Sequence, residues 1–406
     1  INKDFSDAAA VEGMLAAWAE RAPMVQPATT TTTLTDPDHP GCGVQLSSLL
    51  SKHTTLILRD PTIYLGRLPV VMSASSFIAI LYIHSRGLEQ GQVLDRLFFA
   101  TFALVLPGLL ALVTVVAQHS ELGKVTREIK DGMYSPLLYV LVTTMLQLPA
   151  MVLLSVGGIF PAGYGLGNWA WEGFGQMLLI FTCTAWCIEC IAQCLGAVHS
   201  NVLLNMMGFM NMWFVAFLFN GIALPVDAVI WPFRIFCSIM PYRWSQAAMT
   251  YTIFQFSPDY EGAAACNVTT MLPINVTAGR LSDWAPVDCD STTLDADGHG
   301  FYCPSREGAA CFGRTGPQLL NSIGHTFTSI EADVNWPRSC LYILLIAIFF
   351  KLQFTALVVL KSTSGLSSSC IRPKTSSNDN RAPPAFDVEE QVAEVELKGT
   401  SQRVGM

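Results

Sequence analysis

The stretch Leu97–Gln118, LFFATFALVLPGLLALVTVVAQ, decides the fold of this chain, because it runs 22 residues without an Asp, Glu, Lys or Arg. A run of this length crosses about 30 Å of hydrocarbon as a helix. Leu137–Gly158 and Val202–Leu224 share its length and its lack of charge. Pro107 and Pro149 lie inside two of these runs, but membrane helices tolerate proline because neighbouring groups satisfy the freed carbonyl.

Three further apolar segments each contain a single charged residue. They are Ile63–His84 with Arg67, Phe174–Gly196 with Glu189, and Leu341–Leu360 with Lys351. The sequence therefore predicts an all-α membrane protein with six transmembrane helices.

The composition of the whole chain supports a membrane protein. Of 406 residues, 51% are hydrophobic and 13% are charged, and the mean hydropathy is +0.41. Soluble domains carry about 25% charged residues. The net charge of -8, with only 23 Lys and Arg spread along the chain, excludes a nucleic-acid binder. Intrinsic disorder is likewise excluded as the main state.

Positive charge in the short flanks predicts the orientation. Residues 52–67, 124–130 and 361–374 each contain three Lys or Arg, whereas the alternate loops have little net positive charge. By the positive-inside rule both termini are cytoplasmic, and residues from about 225 to 337 form a large extracellular loop before the last helix.

This loop carries two further signs of export. Asn267 and Asn275 begin glycosylation sequons. The loop also contains four cysteines, an even number that allows three disulfide pairings: Cys266, Cys289, Cys303 and Cys311. Glycans and disulfides indicate the secretory route, and hence the plasma membrane.

The two ends differ in character from the middle of the chain. Residues 1–44 read as a partly disordered linker, with a short amphipathic helix near Ala8–Arg21. Residues 362–406 read as a disordered, Ser-rich and then acidic cytoplasmic tail. The linker-like first residues and the initial Ile1 lead us to expect that the chain is part of a longer polypeptide.

Three segments, in this order, resemble the G subfamily of ABC transporters, particularly its pleiotropic drug resistance branch. They are QLSSLLSKHTTLILRDPTIYLGR at Gln45–Arg67, ELGKVTREIKDGMYSPLLYVL at Glu121–Leu141, and NGIALPVDAVIWPFRIFCSIMPYRWSQAAM at Asn220–Met249. Leu122 and Val125 depart from the family, which more often has a second basic residue and an aromatic at these two positions. The resemblance covers residues 45–361 and implies an ABC-2 type transmembrane domain.

The first two segments are also interpretable from their residues. Gln45–Leu58 spaces its leucines near helical periodicity beside Lys52 and His53, which predicts an amphipathic helix in the membrane interface. The charged stretch Glu121–Asp131 is compatible with a short helix projecting between two spans, or with a solvated turn. The resemblance implies a coupling helix, with charges at Glu121, Arg127 and Glu128, that transmits motion from a nucleotide-binding domain.

The resemblance also implies a substrate cavity on the two-fold axis of a homo- or heterodimer. Its lining would be Ala111, Thr114, Met210, Phe214 and Phe217, with an extracellular gate at Ile222 and Ala223. Met210, Phe214 and Phe217 share one helical face, which is equally typical of plain packing or of a lipid-facing stripe. As a cavity, Met and aromatic side chains suit hydrophobic or amphipathic small molecules or lipids.

Glu189 and Lys351 are the intramembrane polar candidates. A carboxyl in a span is costly to bury, so Glu189 is either functional or a structural tie between helices, and Lys351 either pairs with it or snorkels. Cys183, Cys187, Cys190 and Cys194 share one face, but a single helix spreads them over about 16 Å, which favours packing over a metal site.

No catalytic motif is found in the sequence. The Gly123-Lys124 pair lacks the glycine and the hydroxyl residue that a phosphate-binding loop requires. A calcium-loop-like stretch at Asp295–Gly300 has Arg306 where a bidentate Glu is needed. We therefore expect no enzyme activity, cofactor or metal in this chain alone, with ATP and magnesium on a nucleotide-binding domain upstream or on a partner chain.

Two functions remain open from the sequence. One is the membrane half of an ATP-driven exporter that works by alternating access in a dimer. The other is a six-span receptor, scaffold or assembly subunit without transport activity, whose glycosylated loop binds a partner.

Overall fold

The computed structural model describes residues 41–59, 65–274, 287–304, 311–330 and 334–363. The predicted helix near Ala8–Arg21, most of the predicted linker and tail, and the sequon at Asn275 lie outside these residues.

The described chain is mainly helical, with one small sheet. The helices are α1 (Cys42–Arg59), α2 (Arg67–Leu81), α3 (Val93–Leu109), α4 (Leu112–Lys130), α5 (Pro136–Ile159), α6 (Phe174–Gly196), α7 (Val202–Leu218), α8 (Arg234–Ile239), α9 (Pro241–Gln255), α10 (Gly316–Thr326) and α11 (Trp336–Thr363). The strands are β1 (Ala264–Asn267), β2 (Leu272–Pro273) and β3 (Gly300–Tyr302).

Four helical stretches of the described residues are long and apolar enough to cross a membrane. They are Gln90–Lys130, Pro136–Leu166, Trp171–Gly196 and Trp336–Thr363. The predicted first and fifth spans are also helical, but α2 has 15 residues and α7 has 17. Both are shorter than the roughly 20 residues of a full crossing, so the count of six crossings stays a prediction.

Local sequence signals account for where the helices begin. The Ser135 hydroxyl caps α5 by accepting from the backbone N–H of Leu138 at 3.3 Å, and Pro136 occupies the first turn, where its missing N–H costs nothing. Asn201 caps α7 by accepting from Leu203 N–H at 2.9 Å.

Helix α6 lies at the centre of the bundle. It packs against α4, α5, α7, α9 and α11. Cys183, Cys187, Cys190 and Cys194 are all buried there. Small side chains of this kind let membrane helices approach closely.

The segment Leu97–Gln118, expected as one span, divides between two helices. Helix α3 ends at Leu109, close after Pro107, and α4 begins at Leu112. The turn is held by a bond from Ala111 N–H to the Gly108 carbonyl, at 3.1 Å. The charged segment expected as a separate short helix is instead the continuous second half of α4.

The predicted extracellular loop is only partly a loop. Helix α9 is buried among α3, α6, α7 and α11, so residues 241–255 belong to the bundle. The part beyond it forms an antiparallel sheet of order β2-β1-β3 beside α10. Disulfides Cys266–Cys289 and Cys303–Cys311 close this part, which confirms the predicted disulfides and selects one of the three pairings.

Candidate transport and coupling site

An ion pair ties α1 to the charged end of α4. Lys52 Nζ lies 2.7 and 2.6 Å from the two carboxylate oxygens of Glu128. The Tyr134 hydroxyl donates to Glu128 Oε2 at 2.6 Å. Burial and this carboxylate raise the pKa of Tyr134, so its hydroxyl keeps its proton and remains a donor. The charged segment is therefore fixed to the amphipathic helix rather than free in solvent.

A second contact between the same helices involves His53. Its Nδ1 lies 3.7 Å from Glu121 Oε1, and its ring lies 5.7 Å from that of Tyr139 on α5. Burial lowers the pKa of His53, and the adjacent Lys52 lowers it further, against a smaller opposing effect of Glu128. Near neutral pH His53 is therefore uncharged. Arg127 is exposed, and no hydrogen-bond or ion-pair partner is found for its side chain among the described residues.

The carboxylate predicted inside the membrane has an arginine as its partner. Arg67 Nη1 and Nη2 lie 3.1 and 3.0 Å from the two oxygens of Glu189. The Thr114 hydroxyl donates to Glu189 Oε1 at 2.5 Å and accepts from Arg67 Nη1 at 3.1 Å. The Glu189 side chain is 1% exposed. This two-pronged geometry ties α2, α4 and α6 together and compensates both buried charges.

Lys351 does not make this pair. Its Nζ donates to Gln193 Oε1 at 2.7 Å and to Gln147 Oε1 at 3.3 Å. Glu189 is therefore paired with an arginine, and Lys351 is bonded to two glutamine side chains instead of to Glu189. The sequence does not predict Arg67 as the partner of Glu189, because nothing local links two residues that are 122 positions apart.

The five residues predicted to line a substrate cavity lie in two different environments. Ala111 and Thr114 are buried inside the chain beside the Arg67–Glu189 pair. Met210 and Phe214 are exposed, at 39% and 51%. Phe217 is half-buried and stacks on Trp213, with ring centroids 6.1 Å apart. Phe217 packs against the same buried cluster as Ala111, so only Met210 and Phe214 are turned away from it.

Met210 and Phe214 belong to a longer exposed face of α7. Leu203 and Met207 continue it toward the start of the helix at intervals of three or four residues. Asn211 is exposed on the same helix next to Met210. Asn211 is not among the residues predicted from the sequence, although a polar amide within an otherwise apolar helix indicates a position that needs a partner.

The predicted gate residues follow a tight turn after α7. The Asn220 side-chain carbonyl accepts from the backbone N–H groups of Ile222 and Ala223, at 2.8 and 2.9 Å. Ser329 donates to the Gly221 carbonyl at 2.8 Å. Ile222 is buried in a cluster with residues of α10, and Ala223 is exposed. The turn thus connects the bundle to the disulfide-bonded part.

Two further predicted features lie in the disulfide-bonded part. Asn267 is exposed at the end of β1, as a glycan acceptor requires, and its side chain accepts from Thr269 N–H at 2.9 Å. In the described ranges one group of side chains has metal-compatible spacing: Asp295, Asp297 and His299. Asp295 Oδ1 already accepts two backbone N–H groups, from Asp297 and His299.

Apolar helices of spanning length, with buried and compensated charges between them, indicate an integral membrane protein. A family model described as ABC-2 type transporter matches residues 44–254, more than half of the chain. The chain belongs to this family, which indicates a transport role; ABC-2 membrane domains generally dimerise and pair with a nucleotide-binding domain. A comparison with curated proteins finds no match.

Proposed function

We propose that this chain is the membrane half of an ATP-driven exporter of the G subfamily, moving hydrophobic or amphipathic small molecules or lipids by alternating access in a dimer. The three segments at 45–67, 121–141 and 220–249 support the subfamily, since their order matches its plan. ATP and magnesium would be bound by a nucleotide-binding domain, either upstream on the same polypeptide or on a partner chain.

The observation that carries the proposal is the continuity of α4. Its charged end contacts α1 through Glu128, and its buried half places Thr114 against Glu189. Fourteen residues of one helix separate these contacts, a distance of about 21 Å. A displacement at Glu128 therefore has a rigid path to the buried ion pair, and small shifts of packed helices are a known means of switching.

The exposed face of α7 supports a dimer. An amide such as that of Asn211 is unfavourable against hydrocarbon, because lipid offers it no hydrogen-bond partner. A second copy or a related chain would cover Leu203, Met207 and Phe214 and give Asn211 a partner. The substrate cavity would then lie between the two copies of α7, as the family resemblance implies for Met210, Phe214 and Phe217.

In the proposed orientation both termini are cytoplasmic, and the disulfide-bonded part lies outside the plasma membrane with glycans on Asn267 and Asn275. Peptide-N-glycosidase treatment of the protein from a eukaryotic membrane fraction tests this placement. A mass loss that disappears in the double variant Asn267→Gln, Asn275→Gln supports it. If no mass is lost, either the proposed orientation or the proposed glycosylation is wrong.

The transport proposal is tested by ATP-dependent uptake of fluorescent amphiphiles into inside-out vesicles containing the chain and its nucleotide-binding domain. We expect Glu128→Ala and Lys52→Ala to reduce uptake strongly while the protein remains in the membrane. Glu172→Ala removes an exposed carboxylate that is not part of the Lys52–Glu128 ion pair, and it serves as the matched control. ATP-dependent uptake unchanged in Glu128→Ala would discard the coupling role.

A second test separates a transporter from a receptor or scaffold. The coding sequence on the N-terminal side of Ile1, or a protein that copurifies with the chain, should contain a phosphate-binding loop and a signature loop. Finding neither, together with no ATP-dependent uptake, would favour the receptor or scaffold.

A further inference from the structure

A cavity of about 430 Å³ lies between α1, α4 and α5, and Gln193 of α6 also lines it. It extends along α4 from Glu128 to Thr114, so its length is comparable to that of an extended alkyl chain. For comparison, the cavity beside Arg67 is about 40 Å³. Sites for small molecules occupy about 300–1,000 Å³, so this cavity has the size of a binding site.

The walls of the cavity combine apolar and hydrogen-bonding groups. Leu56 and Ile57 of α1 and Leu146 of α5 supply aliphatic surface. Thr143 and Gln118 supply uncharged polar groups. The cavity opens beside the interfacial helix α1, where amphiphilic molecules concentrate.

The charges around the cavity balance one another. Lys52 is paired with Glu128. Lys124 lies one helical turn from Glu121 on α4, so it has an opposite charge near it. A cationic or an anionic ligand would therefore enter a wall without net formal charge and gain no overall attraction.

His53, one of the residues that line the cavity, has a buried ring nitrogen without a partner. His53 is 8% exposed, and its Nε2 makes no hydrogen bond with any part of the chain that the structure describes. Leaving such an atom unsatisfied costs about 1–3 kcal/mol. A ligand with a hydroxyl or amide group would remove that cost.

We propose that this cavity binds a neutral amphiphile, with an apolar chain along α4 and one uncharged hydroxyl or amide group hydrogen-bonded to His53 Nε2. The site differs from the proposed cavity between two copies of α7: its walls come from α1, α4, α5 and Gln193 of α6 in one chain, and they include Thr114 but not Met210, Phe214 or Phe217. Binding here requires no nucleotide.

Photolabelling of the full chain in lipid nanodiscs, without nucleotide, tests the proposal. Three diazirine probes share a dodecyl chain and differ in their head group: an alcohol, a carboxylate and a trimethylammonium. Labelled peptides are mapped by mass spectrometry. We expect the alcohol to label peptides of α4 and α5 at least about tenfold more than the charged probes, the factor that 1.4 kcal/mol gives.

Two variants and a control locate the site. Ala117→Trp fills the cavity and should abolish labelling, whereas Val116→Trp places the same ring on the exposed face of α4 and should leave it unchanged. His53→Leu keeps an apolar side chain of similar reach but removes the proposed hydrogen bond, so it should lower labelling by the alcohol. Equal labelling by the three probes, preference for a charged probe, or labelling unaffected by both Ala117→Trp and His53→Leu would overturn the proposal.

Discussion

The buried pair of Arg67 and Glu189 gives the sharpest stability prediction. Both side chains are almost completely buried and joined by two hydrogen bonds, with a third from Thr114. Removing one partner leaves the other charge uncompensated in a low-dielectric interior, which costs about 3–5 kcal/mol. We therefore expect Glu189→Leu and Arg67→Leu each to lower the midpoint of thermal unfolding by about 4–8 °C, given the large unfolding entropy of a chain of this length.

The double variant separates pairing from simple packing. With both charges removed, the apolar side chains leave no buried charge behind, so the double variant should be more stable than either single variant. Glu172→Leu, at an exposed position, is the control and should change stability by less than about 0.5 kcal/mol.

The chain itself supplies the assay. Cys183, Cys187, Cys190 and Cys194 are buried thiols, so a thiol-reactive fluorogenic dye reports unfolding. Replacing the exposed Cys42 by Ser lowers the background. A double variant whose loss equals the sum of the two single losses would refute coupling between Arg67 and Glu189.

Three other expected outcomes follow from single contacts. Gly221 has φ of +89°, and an added Cβ would collide with the Ser329 side chain, so Gly221→Ala should lower the free energy of unfolding by about 1–3 kcal/mol in the thiol assay. Adding Ser329→Ala should restore only part of this loss, because the Cβ of residue 329 also lies too close. Cys266→Ser with Cys289→Ser should cost about 2–5 kcal/mol, measured as loss of folded protein at 37 °C against the intact disulfide. Because burial lowers the pKa of His53 below its ordinary 6.5, the neutral form favours the folded state above pH 6.5, and this contribution is lost as the pH falls through the lowered pKa. His53→Gln should remove this pH dependence of stability, measured as the midpoint of thermal unfolding between about pH 5 and pH 7.

The sequence predicts best what depends on neighbours along the chain. The uncharged run at Leu97–Gln118 predicts helix in the right place, because length and apolarity alone determine it. The four outer cysteines predict disulfides, because their count and their compartment determine them. Neither signal specifies which residues contact each other. The sequence therefore allows three disulfide pairings, and the structure selects one.

The parts that the sequence does not predict depend on distant contacts. Lys52 and Glu128 are 76 positions apart, and Arg67 and Glu189 are 122 apart. Helix α9 was missed as part of the bundle because it is not apolar overall, although it is buried. Ser245 shows how this is possible, since its hydroxyl donates to the Pro241 carbonyl one turn earlier and needs no outside partner.

The turn between α3 and α4 has a mechanical consequence. Without it, the 41 residues from Gln90 to Lys130 would form a straight rod of about 60 Å, twice the thickness of the hydrocarbon. The turn at Leu110 lies at its midpoint and divides it into two arms of about 30 Å each. A fulcrum with equal arms gives no amplification. If the two arms rotate as one body about the turn, Lys130 and Gln90 travel equal distances.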